Sequence, residues 1–228
     1  VLMALSLQYV SGVSDLFRSY CDEPDTTFLT AANVAQYLEL GYNEFREFVS
    51  SVVPNTYAVE VTLTPTGTSY DLATGTVKLL GATPTATRMV SLISVKTRGS
   101  NDDPNATIWS GVPSKRALQT ATRGYFLEGT TLYFSAQPTG TLALYYIPES
   151  TVNWANVAGN EWIDDLVQFH DLIALIAYKQ YAIRDGAVNQ ALTQQMQQRM
   201  TALVTHISRR NFEGPQYISR TRFTYEGP

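Results

Sequence analysis

The residues of this chain best equipped for chemistry are two histidines, His170 and His206, one cysteine, Cys21, and the acidic run Glu161, Asp164, Asp165 and Asp171 around the first histidine. Carboxylates and an imidazole this close in sequence are the donor types of a metal site, and Asp164, Asp165 and His170 are the set a metal-dependent hydrolase would use. The same spacing has a simpler origin. Asp and Glu collect in the first turn of a helix, where the backbone dipole favours negative charge, and His170 beside Asp171 reads as a hydrogen-bonded pair on a core helix. We therefore expect no metal, no cofactor and no catalytic residue. His206 lies one residue off the Leu203–Ile207 stripe and reads as a boundary residue. Cys21 has Asp22, Glu23 and Asp25 as neighbours, which disfavour a reactive thiolate. A single cysteine also excludes an internal disulfide framework and a four-thiolate zinc site. The sequence has no Gly-x-Gly-x-x-Gly after a strand, no Walker loop, no His-Glu-x-x-His and no Gly-x-Ser-x-Gly.

Two further groups suggest binding. Lys115, Arg116 and Arg123 are able to touch phosphate, but no ladder of aromatics stands beside them as single-strand binders require. The C-terminal residues carry more. Phe212, Tyr217, Phe223 and Tyr225 alternate with Arg209, Arg210, Arg220 and Arg222 in a polar stretch without helical period. Aromatics with no core of their own are costly in water, so these eight residues are the candidate partner-binding set.

Val34, Leu38, Tyr42, Phe45, Val49 and Val52 recur at helical spacing. Thr30 stands at the N-cap and Pro54 at the stop. A shorter helix from about Ser14 to Cys21 precedes it. Between Asn55 and Pro148 the period becomes two and threonine is dense. Strands are expected at Tyr57–Leu63, Thr76–Leu80 and Met89–Val95, with a hairpin over 124–134 that turns at Glu128-Gly129 and has 141–147 as its neighbour. Arg98–Pro113 reads as a projecting loop. Helix returns at Asn160 as N-cap, with Leu166, Phe169, Ile173, Ile176 and Ala177 facing inward, and ends near Arg184-Asp185-Gly186. A Gln-rich helix follows with Leu192, Met196, Arg199, Leu203 and Ile207 on its stripe. The expected fold is α+β: an α-helical bundle (1–54 and 151–210) with an inserted antiparallel β-sandwich or barrel-like domain (55–150) and an extended C-terminal arm (211–228).

Bulk composition narrows the class further. The 228 residues are 44% hydrophobic and only 16% charged, against about 25% in ordinary domains, which excludes general disorder and suggests that part of the surface is an interface. Net charge is −4, but unevenly placed. Residues 179–228 hold seven basic and three acidic residues, net +4, while 1–178 hold nine and seventeen, net −8. An acidic body with a basic, aromatic end is not the profile of a phosphate-gripping nucleic-acid binder. The longest apolar run, about Leu172–Tyr178, is far short of the roughly 20 residues a spanning helix needs, so no membrane is expected. Val1–Leu7 is apolar but has no basic flank before it and the next charge is Asp15, so a secretory signal is not expected.

The order of elements and several local strings resemble the head-to-tail adaptor (connector, or head-completion) proteins of tailed bacteriophages. The strings are Ser14-Asp15-Leu16-Phe17-Arg18, Gly67-Thr68-Ser69-Tyr70-Asp71-Leu72, the Tyr125–Gly129 hairpin, the strand Leu144–Ile147 with its Tyr-Tyr, and Phe169-His170-Asp171-Leu172-Ile173. Where the family often has a Pro-Glu pair before the Phe-His step, this chain has Trp162-Ile163-Asp164-Asp165. The resemblance implies a virion structural protein that forms a ring of twelve copies in the neck, between the portal and the tail tube or nozzle. DNA would pass through the lumen without sequence-specific binding, and the protein would be made in the bacterial host cytoplasm. A reading from another class is a carbohydrate- or surface-binding β-sandwich, with Trp109 and Tyr125 as an exposed aromatic platform.

Overall fold

The computed structural model describes residues 6–22, 28–98, 108–185 and 189–212, with the backbone alone at 98, 185 and 210–212. In chain order the elements are α1 (Val10–Cys21), α2 (Ala31–Val52), β1 (Val59–Leu63), β2 (Ser69–Asp71), β3 (Met89–Arg98), β4 (Ile108–Gly111), α3 (Lys115–Leu118), β5 (Gly124–Glu128), β6 (Thr131–Phe134), β7 (Thr141–Pro148), α4 (Asp171–Asp185) and α5 (Gln190–Phe212). The fold is mixed α+β, with helical segments, a curled seven-stranded half-barrel sheet and C-terminal helices. The chain divides into two compact units, 1–53 with 152–228, and 54–151.

The first unit is built around α4. Every residue from Leu172 to Tyr178 is buried, so this helix is apolar on all sides and must be covered all round. α1, α2 and α5 pack on it. α2 presents the expected face, with Val34, Leu38, Tyr42, Phe45 and Val49 buried, and Thr30 accepts the Asn33 N–H at 3.3 Å as its N-cap. Gly41 lets the two backbones approach: a Cβ there would stand 2.8 Å from the Ile173 carbonyl oxygen. α1 begins at Val10, four residues before the expected start, because Val10, Val13 and Phe17 form an i, i+3, i+7 stripe with no exposed surface. The helix expected from Asn160 does not form there. Residues 160–166 are non-helical, Trp162 pairs with Tyr9 in an isolated antiparallel bridge, and α4 starts only at Asp171 after a single 3₁₀ turn at Val167–Phe169. The reason is local: Asp164 Oδ1 accepts the Leu166 N–H at 2.8 Å, an Asx turn that competes with the helix. α5 runs to Phe212, two residues past the expected helix end at 210, and only Leu203 and Ile207 of its stripe are fully buried.

The second unit is one sheet of strand order β1-β7-β3-β4-β5-β6-β2. Its core is Leu63, Leu72, Leu79, Met89, Val95, Trp109, Leu132, Phe134, Leu142, Leu144 and Tyr146. All pairings are antiparallel except β4 with β5, where Ser110 faces Gly124 and Gly111 faces Tyr125 in parallel. Three expectations are corrected here. β4 lies inside the stretch expected to be only a projecting loop; it is an interior strand because Trp109, on its inward side, is buried. β7 neighbours β1 and β3 and not the β5–β6 hairpin. Thr76–Leu80 forms no strand: the Leu79 and Leu80 N–H groups both bond to the Leu72 carbonyl, and Met89 N–H bonds to the Leu79 carbonyl, so the segment folds back as a loop that drops Leu79 into the core.

One string from the sequence has a clear structural purpose. In Gly67–Leu72, the Tyr70 hydroxyl accepts the Val77 N–H at 2.7 Å and donates to the Val77 carbonyl at 3.3 Å. Asp71 accepts the Ala73 N–H at 2.8 Å and the Thr74 hydroxyl at 2.7 Å, and Leu72 is fully buried. Tyr70 thus closes the 71–77 loop from across it, Asp71 turns it, and Leu72 anchors it.

Candidate functional site

The acidic and histidine residues singled out by sequence do converge, but not in the expected pairs. His170 has no exposed surface. Its Nε2 lies 2.6 Å from Asp164 Oδ1 and its Nδ1 lies 2.7 Å from the Leu7 carbonyl oxygen. The partner of His170 is thus Asp164, not Asp171. Asp164 Oδ2 accepts the Tyr42 hydroxyl of α2 at 3.0 Å. Burial first, and the neighbouring Asp164 charge second, push the Tyr42 hydroxyl far above its ordinary range, against the opposing pull of Arg46, so it remains a proton donor.

Asp171 belongs to a second cluster. Arg199 of α5 donates from Nε and Nη2 to its two oxygens at 2.6 and 2.7 Å, and from Nη2 also to the Gln168 carbonyl. The Asp171 carboxylate holds the guanidinium above its usual range. The same guanidinium sits 5.1 Å from the centre of the Phe169 ring. His206 bonds to the Gln168 side chain at 2.8 Å and lies against Phe169, which is a boundary position. Glu161 Oε1 accepts the Asn153 N–H at 3.0 Å, and Asp165 points to solvent.

These partners decide what the cluster can do. Both oxygens of Asp164 are engaged by donors, Asp171 is engaged by arginine, and both nitrogens of His170 face acceptors. No group of three His, Cys, Asp or Glu side chains able to hold a metal ion exists among the described residues. The site is structural: it joins the N-terminal segment, α2, the 160–166 loop and the start of α4. Sequence reasoning missed Arg199 and Tyr42 as members. Arg199 was legible, since it is the only charged residue between Gln190 and Ser208, and a lone charge on a thinly apolar helix needs a partner.

The binding candidates fall as follows. Trp109 is 5% exposed, packs edge-on against Phe134 and donates from Nε1 to the Thr97 hydroxyl at 2.7 Å. Tyr125 is half-buried against Gly111. The two therefore form no exposed platform, because the inward side of β4 is the core side. Lys115 is paired with Glu128 and lies over the Tyr133 ring, while Arg116 and Arg123 are exposed. A shallow groove of about 260 Å³ is lined by Glu44, Glu47, Phe48, Ser51, Ile176 and Met200, with Glu44 held by Lys179 and Gln180. Of the C-terminal set, Arg209 is exposed near the end of α5, and Arg210 and Phe212 belong to its last turn. Tyr217, Arg220, Arg222, Phe223 and Tyr225 lie outside the described residues. No described helix is long and apolar enough to cross a membrane.

No curated protein matches the chain. The sequence model of one family, described as SU10 adaptor protein, matches residues 11–219, a span that takes in the helices of the first unit and the whole of the sheet. With a match over most of its length, the chain belongs to the SU10 adaptor protein family and is a head-to-tail adaptor, a structural protein of a phage virion.

Proposed function

We propose that the chain acts in the neck of the virion as a closed ring of twelve copies between the portal and the tail tube or nozzle, with DNA passing through its lumen. In this reading the helical bundle is the ring wall, the inserted 55–150 β domain projects to lateral or tail contacts, and the arm from about Asn211 docks on the portal. Arg209, Arg210, Phe212, Tyr217, Arg220, Arg222, Phe223 and Tyr225 are the docking residues. The observation that carries the reading beyond the family match is the charge division, net −8 over 1–178 and net +4 over 179–228. An acidic body suits a channel that must not grip a polyanion, and a basic, aromatic end suits attachment to another protein surface. The low total charge suits wide lateral contacts between copies.

The test is native mass spectrometry or mass photometry of the full chain and of a truncation after Arg210, each alone and mixed with the cognate portal ring. Rings on the portal with the full chain, and loss of binding with the truncation, support both the ring and the arm. Binding that survives truncation moves the portal contact to another surface. A full chain indifferent to the portal rejects the reading.

A further inference from the structure

We propose that residues 217–225 of one copy add as a further strand to the open edge of the sheet, β1, in a second copy of the chain. The neighbouring copy follows from the ring reading; the edge and the segment that fits it stand without it.

β1 ends the sheet, with β7 on one side and no strand on the other. Its five residues pair with β7 in an unbroken register from Val59 with Tyr146 to Leu63 with Leu142. Directly paired residues share a face, and on β7 Tyr146, Leu144 and Leu142 are all buried. On β1 only Leu63 is buried; Val59 is 40% exposed and Val61 half-buried. The core face therefore runs out past the last strand. β1 also has no proline, no lysine and no bulge, the devices that keep an edge from pairing. The opposite edge differs. β2 has three residues, and the loop after it folds back on it, with the Gly75 N–H on the Asp71 carbonyl at 2.8 Å and the Val77 N–H on the Tyr70 hydroxyl at 2.7 Å.

Among the stretches outside the described residues, one has the sequence pattern of a strand. Tyr217-Ile218-Ser219-Arg220-Thr221-Arg222-Phe223-Thr224-Tyr225 stands between Gly214-Pro215 and Gly227-Pro228, and six of its nine residues are β-branched or aromatic. Alternation assigns Tyr217, Phe223 and Tyr225 to one side and Arg220 and Arg222 to the other. β1 divides in the same way, with Val59 and Val61 on the core side and Glu60 and Thr62 outside. Laid along β1, the aromatic side continues the core over Val59 and Val61, while the arginine side runs beside Glu60. The other stretches do not fit. Residues 23–27 and 99–107 carry acidic charge only, 186–188 is three residues long, and 1–5 is apolar without alternation.

Edge and segment are different surfaces of one chain, so joining them between copies makes a heterologous contact that repeats from copy to copy around a ring. Pairing of β1 with another β1 would be self-complementary and stop at two copies. Tyr217 to Tyr225 also belong to the set proposed to dock on the portal. The added strand thus belongs to copies assembled without the portal, which competes for the same segment.

The test uses full-length chains in which the single cysteine, Cys21, is replaced by serine. One chain carries Thr62→Cys, and its partner carries one cysteine at a position from 219 to 224. The two are mixed without portal and joined by a short bis-thiol reagent. A product of twice the chain mass should form with Arg220→Cys, Arg222→Cys or Thr224→Cys. Its yield should drop roughly tenfold with Ser219→Cys, Thr221→Cys and Phe223→Cys, because strand residues alternate sides. Glu60→Cys, on the same side of β1, repeats the test at a second place. Equal yields at all six positions, linking only when both cysteines lie in one chain, or Thr62→Cys linking to itself overturns the proposal. Absence of product overturns it as well, and rings seen at the same time by native mass spectrometry would leave the ring reading standing. The mixed product from a chain indifferent to the portal upholds the added strand and rejects the portal contact.

Discussion

The guanidinium of Arg199 on α5 grips both carboxylate oxygens of Asp171 at the first residue of α4, at 2.6 and 2.7 Å. Among the described side chains of α5 only Leu203 and Ile207 are fully buried, so this ion pair and the bond to the Gln168 carbonyl supply much of its attachment. Arg199→Ala should lower stability by about 1–3 kcal/mol, the range for losing hydrogen bonds to a charged group. Arg199→Lys should recover less than half of that, since an ammonium cannot reproduce the two-pronged geometry. Thermal unfolding checks the size of the loss, and limited proteolysis should show new cleavage within α5. Lysine restoring full stability would mean that charge alone, and not the fork, matters.

Gly41 tests how closely α2 and α4 must approach. A Cβ there would meet the Ile173 carbonyl oxygen at 2.8 Å and the Ala177 nitrogen at 3.0 Å, both backbone atoms that cannot rotate away. Gly41→Ala should therefore destabilise the first unit by about 1–3 kcal/mol through overpacking, even though alanine is the better helix former. Urea unfolding measures it, and a gain in stability would show that the helices separate freely.

Gly129 offers the opposite case. It lies in the turn between β5 and β6 at φ +58, and a Cβ on it would meet nothing within 4 Å. Any penalty there comes from backbone conformation alone. Gly129→Val should cost roughly 1–2 kcal/mol and Gly129→Asn clearly less, because asparagine tolerates the left-handed region. Equal losses for the two variants, measured by thermal unfolding, would contradict this.

Asp71 predicts an acid-side dependence. Its carboxyl is held below the usual carboxylate range, first by the Ala73 N–H and next by the Thr74 hydroxyl. A depressed acid stabilises above its unfolded value of about 3.9, and that contribution is lost as pH falls through the lower folded value. Asp71→Asn keeps the turn but removes the charge. Its melting temperature should lie below that of the parent near neutrality, and the gap should close as the pH is taken down to about 2.5. A gap that stays constant across that range would rule out the carboxylate as its source.

Much of this was legible in the sequence, and the reasons are local. Thr30 caps α2, the Val34 to Val49 stripe faces inward, and Glu128-Gly129 turns the hairpin, because each depends on the conformational preference or periodicity of neighbouring residues. The run Leu172–Tyr178 was legible as apolar, but its spacing assigned the helix one inward face, and its burial on every side came only from the fold. The family resemblance rested on short strings, and the Gly67–Leu72 string turns out to encode a closed loop through Tyr70 and Asp71.

Only tertiary structure decided the pairings between residues far apart in the chain. Asp164, Asp165 and Glu161 had the composition of a helix start, yet Asp164 is held by His170 and by Tyr42, 122 residues away, and α4 begins later. Trp109 had the look of an exposed platform in a polar stretch until β4 was seen to fill the gap between β3 and β5. The strand order that separates β7 from the β5–β6 hairpin has no local signal at all, since local pattern specifies which residues face a core but not which distant strand lies beside them. Sequence therefore determined most of the helices and strands, the inward face of α2 and the adaptor family. The fold alone decided that Asp164 and His170 are spent on holding four segments together, because their donors and acceptors found Tyr42, the Leu166 N–H and the Leu7 carbonyl only when those segments met.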